Sequence, residues 1–300
     1  MCRFALYMGP PITLDLLTTR PEYSIIHQSF KSRMREEPLN GDGFGLAWYV
    51  PEISPEPALF RSIQPAWNNV NLLHLARVSR SPVVLAHVRA ATHGFGVTES
   101  NCHPFAAGRF AFMHNGSVGG FHQLKRRLRE SLSDDAYVSI HGTTDSEHLF
   151  ALFCDHAKQL QHDSAVEKMA AALEATLADV TRLTAAVGAT RRSLVNIAVT
   201  DGHCAVASRF TTDDTEGLSL YIRTGKEFVF NEGVCRMQNN NDSHSTVIVA
   251  SEPLTEEPGW KEVPRNHLVL VHADHRAEIR SIDERLEETC RTQATSRSSP

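Results

Sequence analysis

The order in which the apolar patterns change along this chain limits its fold more than any other feature. Short apolar runs broken by glycine, proline and asparagine turns fill the first 120 residues. Stripes with helical spacing follow to about residue 183, and short apolar runs return from Leu194 to Val271. Strands, then helices, then strands, with no repeating βαβ unit, point to antiparallel pairing with the helices packed outside. The expected class is α+β, built on two antiparallel sheets.

Individual elements can be placed. Phe44 to Val50 reads as a strand after the turn Asn40-Gly41-Asp42-Gly43, with Ala58 to Gln64 returning as its hairpin partner. Val83 to Val88 and Arg109 to Met113 read as buried strands, the second ending at His114-Asn115-Gly116. Helices are expected over Phe121–Leu132 and over Asp145–Leu160, the latter opened by a Thr143-Thr144-Asp145 cap signal. Val166, Met169, Ala170, Leu173, Leu177, Val180 and Leu183 mark one face of a third helix. Leu194–Thr200, His203–Arg209, Leu218–Arg223, Thr246–Ala250 and His267–Val271 have strand character, and Asp201-Gly202 is expected as a two-residue hairpin turn.

With 300 residues and a net charge of -5, the chain has room for one large domain or two small ones and no basic footprint for nucleic acid. It has no apolar run of membrane-spanning length and no secretory leader, so the expected compartment is the cytoplasm. Its six cysteines form no CxxC, and its 16 histidines form no HExxH, so neither a metal nor another cofactor is expected. One domain over residues 2–282 is expected, with a Ser/Thr/Arg-rich frayed tail over 283–300.

Polar motifs stand at the ends of these elements, where function concentrates. Cys2 follows the initiator methionine. Removal of Met1 would put a thiol and a free α-amine on one residue. The amine, with a pKa of roughly 7.7–8.0, can take the thiol's proton near neutral pH. Ala86-His87-Val88-Arg89-Ala90-Ala91-Thr92-His93-Gly94, Asn101-Cys102-His103-Pro104-Phe105, His114-Asn115-Gly116 and Thr143-Thr144-Asp145-Ser146-Glu147 complete the set. A γ-glutamyl amide needs an arginine for its α-carboxylate, a carboxylate for its α-ammonium, a nucleophile for its γ-carbonyl and donors for the oxyanion. Arg89, Asp145, Cys2 and Asn115-Gly116 supply these once each. Taken singly, Arg89 also fits a surface ion pair, Asn115-Gly116 a type I′ turn, Asp145 a helix cap, and Cys102 an inert buried thiol.

The set in this order resembles the class II glutamine amidotransferases of the N-terminal-nucleophile hydrolase superfamily. The resemblance is strong over about the first 160 residues. It continues weakly to about 280 through Asn196-Ile197-Ala198-Val199-Thr200-Asp201-Gly202 and Ala250-Ser251-Glu252-Pro253-Leu254. MCRFALYMG, TRPEYSIIHQSF, NGDGFGLAWY, PAWNN, NCHPF and FMHNG resemble in particular the amidotransferase subunits of the fungal glutathione-degradation complex and their bacterial relatives. The ergothioneine-pathway γ-glutamyl hydrolases are more distant.

The resemblance implies a four-layer αββα sandwich. It implies Cys2 as nucleophile with its own amine as base, and Asn115 and Gly116 as the oxyanion hole. Arg89 and Asp145 would grip the glutamate end, and Ala90 to Gly96, including Thr92 and His93, would form a lid over a small γ-glutamyl substrate. Ala90 stands where synthase-type members often carry tryptophan, which counts against a lid shaped for ammonia channelling. Only a short tail is expected beyond the resembling region, so either the chain hydrolyses the bond itself or a partner is expected to supply the acceptor chemistry. The implied reaction is hydrolysis of a γ-glutamyl amide, with a peptidase or synthase as the expected kind of partner subunit. A glutaminase feeding a synthase and a silent γ-glutamyl-binding regulator are the other readings. Support and contact roles for His87 and His103 are left open.

Overall fold

The computed structural model describes residues 2–34, 39–91, 96–238 and 245–282. The expected tail over 283–300 and the candidates Thr92 and His93 lie outside these residues.

Two sheets form the centre. The larger has seven strands, in the order Lys261–Glu262, Tyr221–Gly225, Thr246–Ala250, Arg3–Thr13, Arg80–Val88, Phe44–Trp48 and Ala58–Ser62. The smaller has six, in the order Ala277–Ser281, His267–Val271, Ala205–Arg209, Leu194–Thr200, Phe110–Ser117 and Phe105–Ala107. Every neighbouring pair is antiparallel.

Alternation of side chains along each strand divides the apolar residues into three cores. Phe4, Leu6, Met8, Val83 and Leu85 of the larger sheet meet Ala111, Met113, Ala198, Ala207 and Val269 of the smaller one between the sheets. Their neighbours Ala5, Tyr7, Val84, Ala86 and Val88 point to the opposite face. There they are covered by the helices Ile25–Phe30 and Val70–Val78 and by the hairpin Glu227–Asn231/Val234–Gln238, through Ile25, Leu72, Phe228 and Met237. Phe112, Val195, Ile197 and Val199 of the smaller sheet face the helices Phe121–Glu130, Asp145–Gln159 and Ala165–Ala186. All seven apolar residues of the expected third-helix stripe are buried there. The result is the expected αββα order of layers.

Local chemistry sets the boundaries. Thr144 caps the helix Asp145–Gln159, its side chain accepting from the Glu147 N–H. Asp145 and Glu147 lie in that helix's first turn and His156 and Lys158 in its last, complementing the helix dipole. In the hairpin over the larger sheet, Glu232 and Gly233 both have positive φ, 52° and 83°, as a type I′ turn requires.

Two expectations need correction. Asp201-Gly202 does not make a two-residue turn: Thr200 pairs with Ala205, and four residues lie between them. The Asp201 carboxylate accepts from the backbone N–H groups of His203 and Cys204 and so stabilises the wider loop. The strand expected over Leu218–Arg223 instead runs Tyr221–Gly225. The backbone carbonyls of Leu218 and Ser219 turn aside to accept from the Asn196 amide.

Candidate active site

Strand parity gathers the expected residues at one end of the layer between the sheets. Cys2 precedes Phe4, Leu6 and Met8 on the same face; His87 and Arg89 follow Val83 and Leu85; Asn115 follows Ala111 and Met113. Arg3 pairs with Val88 and Phe4 with His87, so continuing that register sets Cys2 opposite Arg89. Cys2 is half-buried, and its Sγ lies 3.6 Å from the Ala90 carbonyl oxygen.

Arg89 is not a surface residue; it is 3% exposed. Its guanidinium makes two long contacts, 3.4 Å to the Asp42 carbonyl and 3.3 Å to the Gly96 carbonyl. No carboxylate among the described residues pairs with it, so its buried charge is met only by backbone carbonyls.

The backbone beside it is fixed by Asp42. The Asp42 N–H donates to the Arg89 carbonyl at 3.1 Å, and the Asp42 carboxylate accepts from the Ala91 N–H at 2.8 Å. Asn101 holds the far side of the same loop. Its amide donates to the Gly96 carbonyl at 2.8 Å and its oxygen accepts from the Thr143 N–H at 2.8 Å.

Asn115 and Gly116 do not form a turn. Both lie within the strand Phe110–Ser117, opposite Asn196 and Val195. Gly116 has φ 151°, and a Cβ there would overlap the Leu194 carbonyl oxygen, so only glycine fits. The Asn115 amide nitrogen lies 3.5 Å from Ser251 Oγ, which also accepts from the Phe4 N–H at 3.1 Å. Ser251 therefore touches both the strand that begins beside Cys2 and the strand that carries Asn115. Asp145 occupies the first helical turn without being the cap. Its Oδ2 accepts from the Val118 N–H at 2.8 Å, which ties the helix to the end of the Asn115 strand.

Behind these groups lie three buried histidines. His87 and His103 stack with ring centroids 4.1 Å apart. His87 Nε2 donates to the His114 carbonyl at 3.2 Å and so joins the two sheets next to Asn115. His114 Nε2 donates to the Leu194 carbonyl at 3.2 Å, and its Nδ1 lies 2.8 Å from Ser146 Oγ. Burial lowers the pKa of all three, His87 to about 3 and His103 well below the usual range, and the Arg89 charge adds to the effect on both of these. They are neutral, and poor proton carriers, at neutral pH.

Burial raises the Cys2 thiol, opposed by a backbone hydrogen bond at Ala90 and by the charges of Arg89 and Arg3. Arg3 itself pairs with Glu252 at 2.5 Å and donates to the Cys2 carbonyl at 2.8 Å. Cys102 is buried with its thiol 3.4 Å from the Thr98 carbonyl, and burial raises its pKa too, which fits an inert thiol. Among the described residues no group of three or more His, Cys, Asp or Glu side chains is arranged to hold a metal ion. Among them, too, no helix is long and apolar enough to cross a membrane.

Residues that the motif reading passed over complete this site. Asp42 sits inside the turn Asn40-Gly41-Asp42-Gly43, Asn101 opens NCHPF, and Ser251 and Asn196 belong to the two weakly resembling segments. Their polar side chains beside glycine or apolar runs were the available signal, but only the tertiary pairing gives them partners.

Known proteins of similar sequence and fold share the length of this chain. The chain is 41% identical over 292 residues to "Probable glutamine amidotransferase DUG3" of Saccharomyces cerevisiae, covering 90% of this chain and 82% of that one. It is 28% identical over 276 residues to the gamma-glutamyl-hercynylcysteine sulfoxide hydrolase of Mycolicibacterium smegmatis, covering 92% and 97%. The solved structure of a glutamine aminotransferase class-II domain protein from Silicibacter pomeroyi superposes with a TM-score of 0.64 at 30% identity, covering 93% of this chain and 99% of that one. The family model for class-II glutamine amidotransferases matches residues 17–296, and the chain belongs to that enzyme family.

Proposed function

We propose that this protein hydrolyses a γ-glutamyl amide through a γ-glutamyl thioester on Cys2. The observation that carries the reading is the position of the Cys2 thiol, 3.6 Å from the Ala90 carbonyl, directly beside a buried Arg89 that has no carboxylate partner among the described residues. A nucleophile next to an unpaired arginine fits a substrate with a carboxylate at a fixed distance from an amide.

In this reading Arg89 pairs the substrate α-carboxylate and the remaining lone pair of the Asp145 carboxylate receives the α-ammonium. With Met1 removed, the Cys2 amine takes the thiol proton and sulfur attacks the γ-carbonyl. The oxyanion is met by the Asn115 amide and the Gly116 N–H. The protonated amine base returns its proton to the leaving amine as the C–N bond breaks. Water then adds to the thioester, the C–S bond breaks, and glutamate and the Cys2 thiol are released. Thr92 and His93 belong to the proposed lid. The names of the relatives, one a glutamine amidotransferase and one a γ-glutamyl hydrolase, support this bond class.

The leaving amine is the open variable, and Cys-Gly of glutathione is our first choice over ammonia. Ala90 at the position beside Arg89 supports a hydrolase over an ammonia-channelling lid. A panel of glutathione, glutamine and other γ-glutamyl amides on the purified protein tests it. Glutamate release with glutathione preferred is expected. Preference for glutamine, stimulated by a synthase subunit, would favour the ammonia-supplying role, and tight binding without turnover would favour a regulator.

A further inference from the structure

The hydroxyl of Ser251 meets two donors and no acceptor. Ser251 follows the strand Thr246–Ala250 and is 1% exposed. Its Oγ accepts from the Phe4 N–H at 3.1 Å and lies 3.5 Å from Asn115 Nδ2, and no acceptor for its own proton is present among the described residues. The Asn115 Oδ1, equally buried, has no hydrogen-bond partner. A hydroxyl has one proton to give, and an amide oxygen needs one. With Nδ2 facing Ser251, one donor and one acceptor are left unmet at a buried site.

A half-turn of the Asn115 amide removes both defects. Oδ1 then receives the Ser251 proton, and Nδ2, with two protons, takes the unpartnered place that Oδ1 held, so that the unmet group there becomes a donor. We propose that Ser251 is a positioning residue that orients the Asn115 amide, donating to Oδ1 so that Nδ2 faces the reacting γ-carbonyl. The inference rests on the proposed role of Asn115 in stabilising the oxyanion.

The surroundings hold Ser251 for this task. Its N–H donates to the Phe4 carbonyl at 3.0 Å, and its carbonyl accepts from Ser219 Oγ at 2.8 Å. The Ser219 carbonyl in turn accepts from Asn196 Nδ2 at 3.1 Å, and Asn196 lies directly opposite Asn115 in the neighbouring strand. One hydroxyl is thus clamped both to the strand that begins beside the nucleophile and to the pair of strands that carries the oxyanion donor. Preorganised donors act because they need not reorient as charge develops. A free-turning amide would lose part of that advantage.

The test is a double-mutant cycle with Ser251→Ala and Asn115→Ala, assayed on whichever γ-glutamyl amide the wild-type protein hydrolyses best. Ser251→Ala is expected to lower kcat about tenfold with KM within about twofold of wild type, because the orientation matters only as the oxyanion forms. In the Asn115→Ala background the same change is expected to have no further effect on kcat. Wild-type kcat in Ser251→Ala, or an equal loss in both backgrounds, would overturn the proposal. Should the alanine variant not fold, Ser251→Thr keeps the hydroxyl and is expected to retain at least about a third of kcat. A folded threonine variant as slow as Asn115→Ala overturns the proposal equally. A wild-type protein that cleaves no γ-glutamyl amide would instead defeat the underlying reading of the site, before any variant is compared.

Discussion

The carboxylate of Asp145 holds the backbone N–H of Val118 at 2.8 Å, two residues beyond Gly116. The start of one helix therefore fixes the end of the strand that carries Asn115. Asp145→Ala leaves that buried N–H without its acceptor, a loss of roughly 1–3 kcal/mol. Asp145→Asn can keep an acceptor there but removes the negative charge. The alanine variant should lower the urea midpoint clearly. The asparagine variant should keep most of the stability while raising KM for γ-glutamyl substrates by about tenfold, the scale of a lost charge-assisted contact.

Arg89 should be sensitive to shape as well as charge. A lysine offers a point charge in place of a planar fork, so Arg89→Lys should not rescue binding. Steady-state kinetics should show kcat/KM lowered by roughly ten- to a hundredfold, carried mostly by KM. A lysine variant with wild-type KM would remove Arg89 from carboxylate recognition.

Gly116→Ala places a methyl against the Leu194 carbonyl oxygen, an immovable backbone atom in the paired strand. The expected result is loss of more than about 2 kcal/mol of stability, or failure to fold. Thermal melting reads this directly, and a Gly116→Ala protein with a wild-type midpoint would contradict the strand geometry.

Four buried histidines, the three at the site and His148, whose pKa burial lowers to about 4, predict acid sensitivity. An unfolded chain protonates histidine near pH 6.5, whereas His87 in the fold waits until about pH 3. Stability is therefore full above about pH 6.5 and falls as pH drops toward 3, because only the unfolded state binds the proton. His87 can contribute up to about 1.4 kcal/mol per pH unit within that window, and the other lowered histidines act in the same direction. Urea unfolding between about pH 8 and pH 4 should show the decline, and a flat profile would mean that these rings are not buried neutral.

Much of this arrangement is legible in the sequence, and the limits have physical causes. Helix stripes such as Val166 to Leu183 are local, so their burial follows from spacing alone. The burial of Phe4, Leu6 and Met8 between the sheets depends on Arg3–Thr13 lying between Thr246–Ala250 and Arg80–Val88, partners far away in the chain. Asn115-Gly116 carries a local turn signal, yet it pairs with Asn196 and Val195 in a strand, where the close approach of Leu194 is what requires the glycine. Cys2, Arg89 and Asp145 stand out only as a set in this order, because each alone has an ordinary reading at its position. Asp42, Asn101 and Ser251 do not, because ordinary turn residues become site residues only through the backbone groups that the fold brings to them.

The most direct test of the central claim is intact mass spectrometry of the protein quenched in acid during turnover of a γ-glutamyl amide, beside the same measurement on Cys2→Ala. The account predicts a mature wild-type chain that has lost Met1 and carries one γ-glutamyl group on Cys2, and an alanine variant that carries none and releases no glutamate. A Cys2→Ala protein that releases glutamate at the wild-type rate would contradict it.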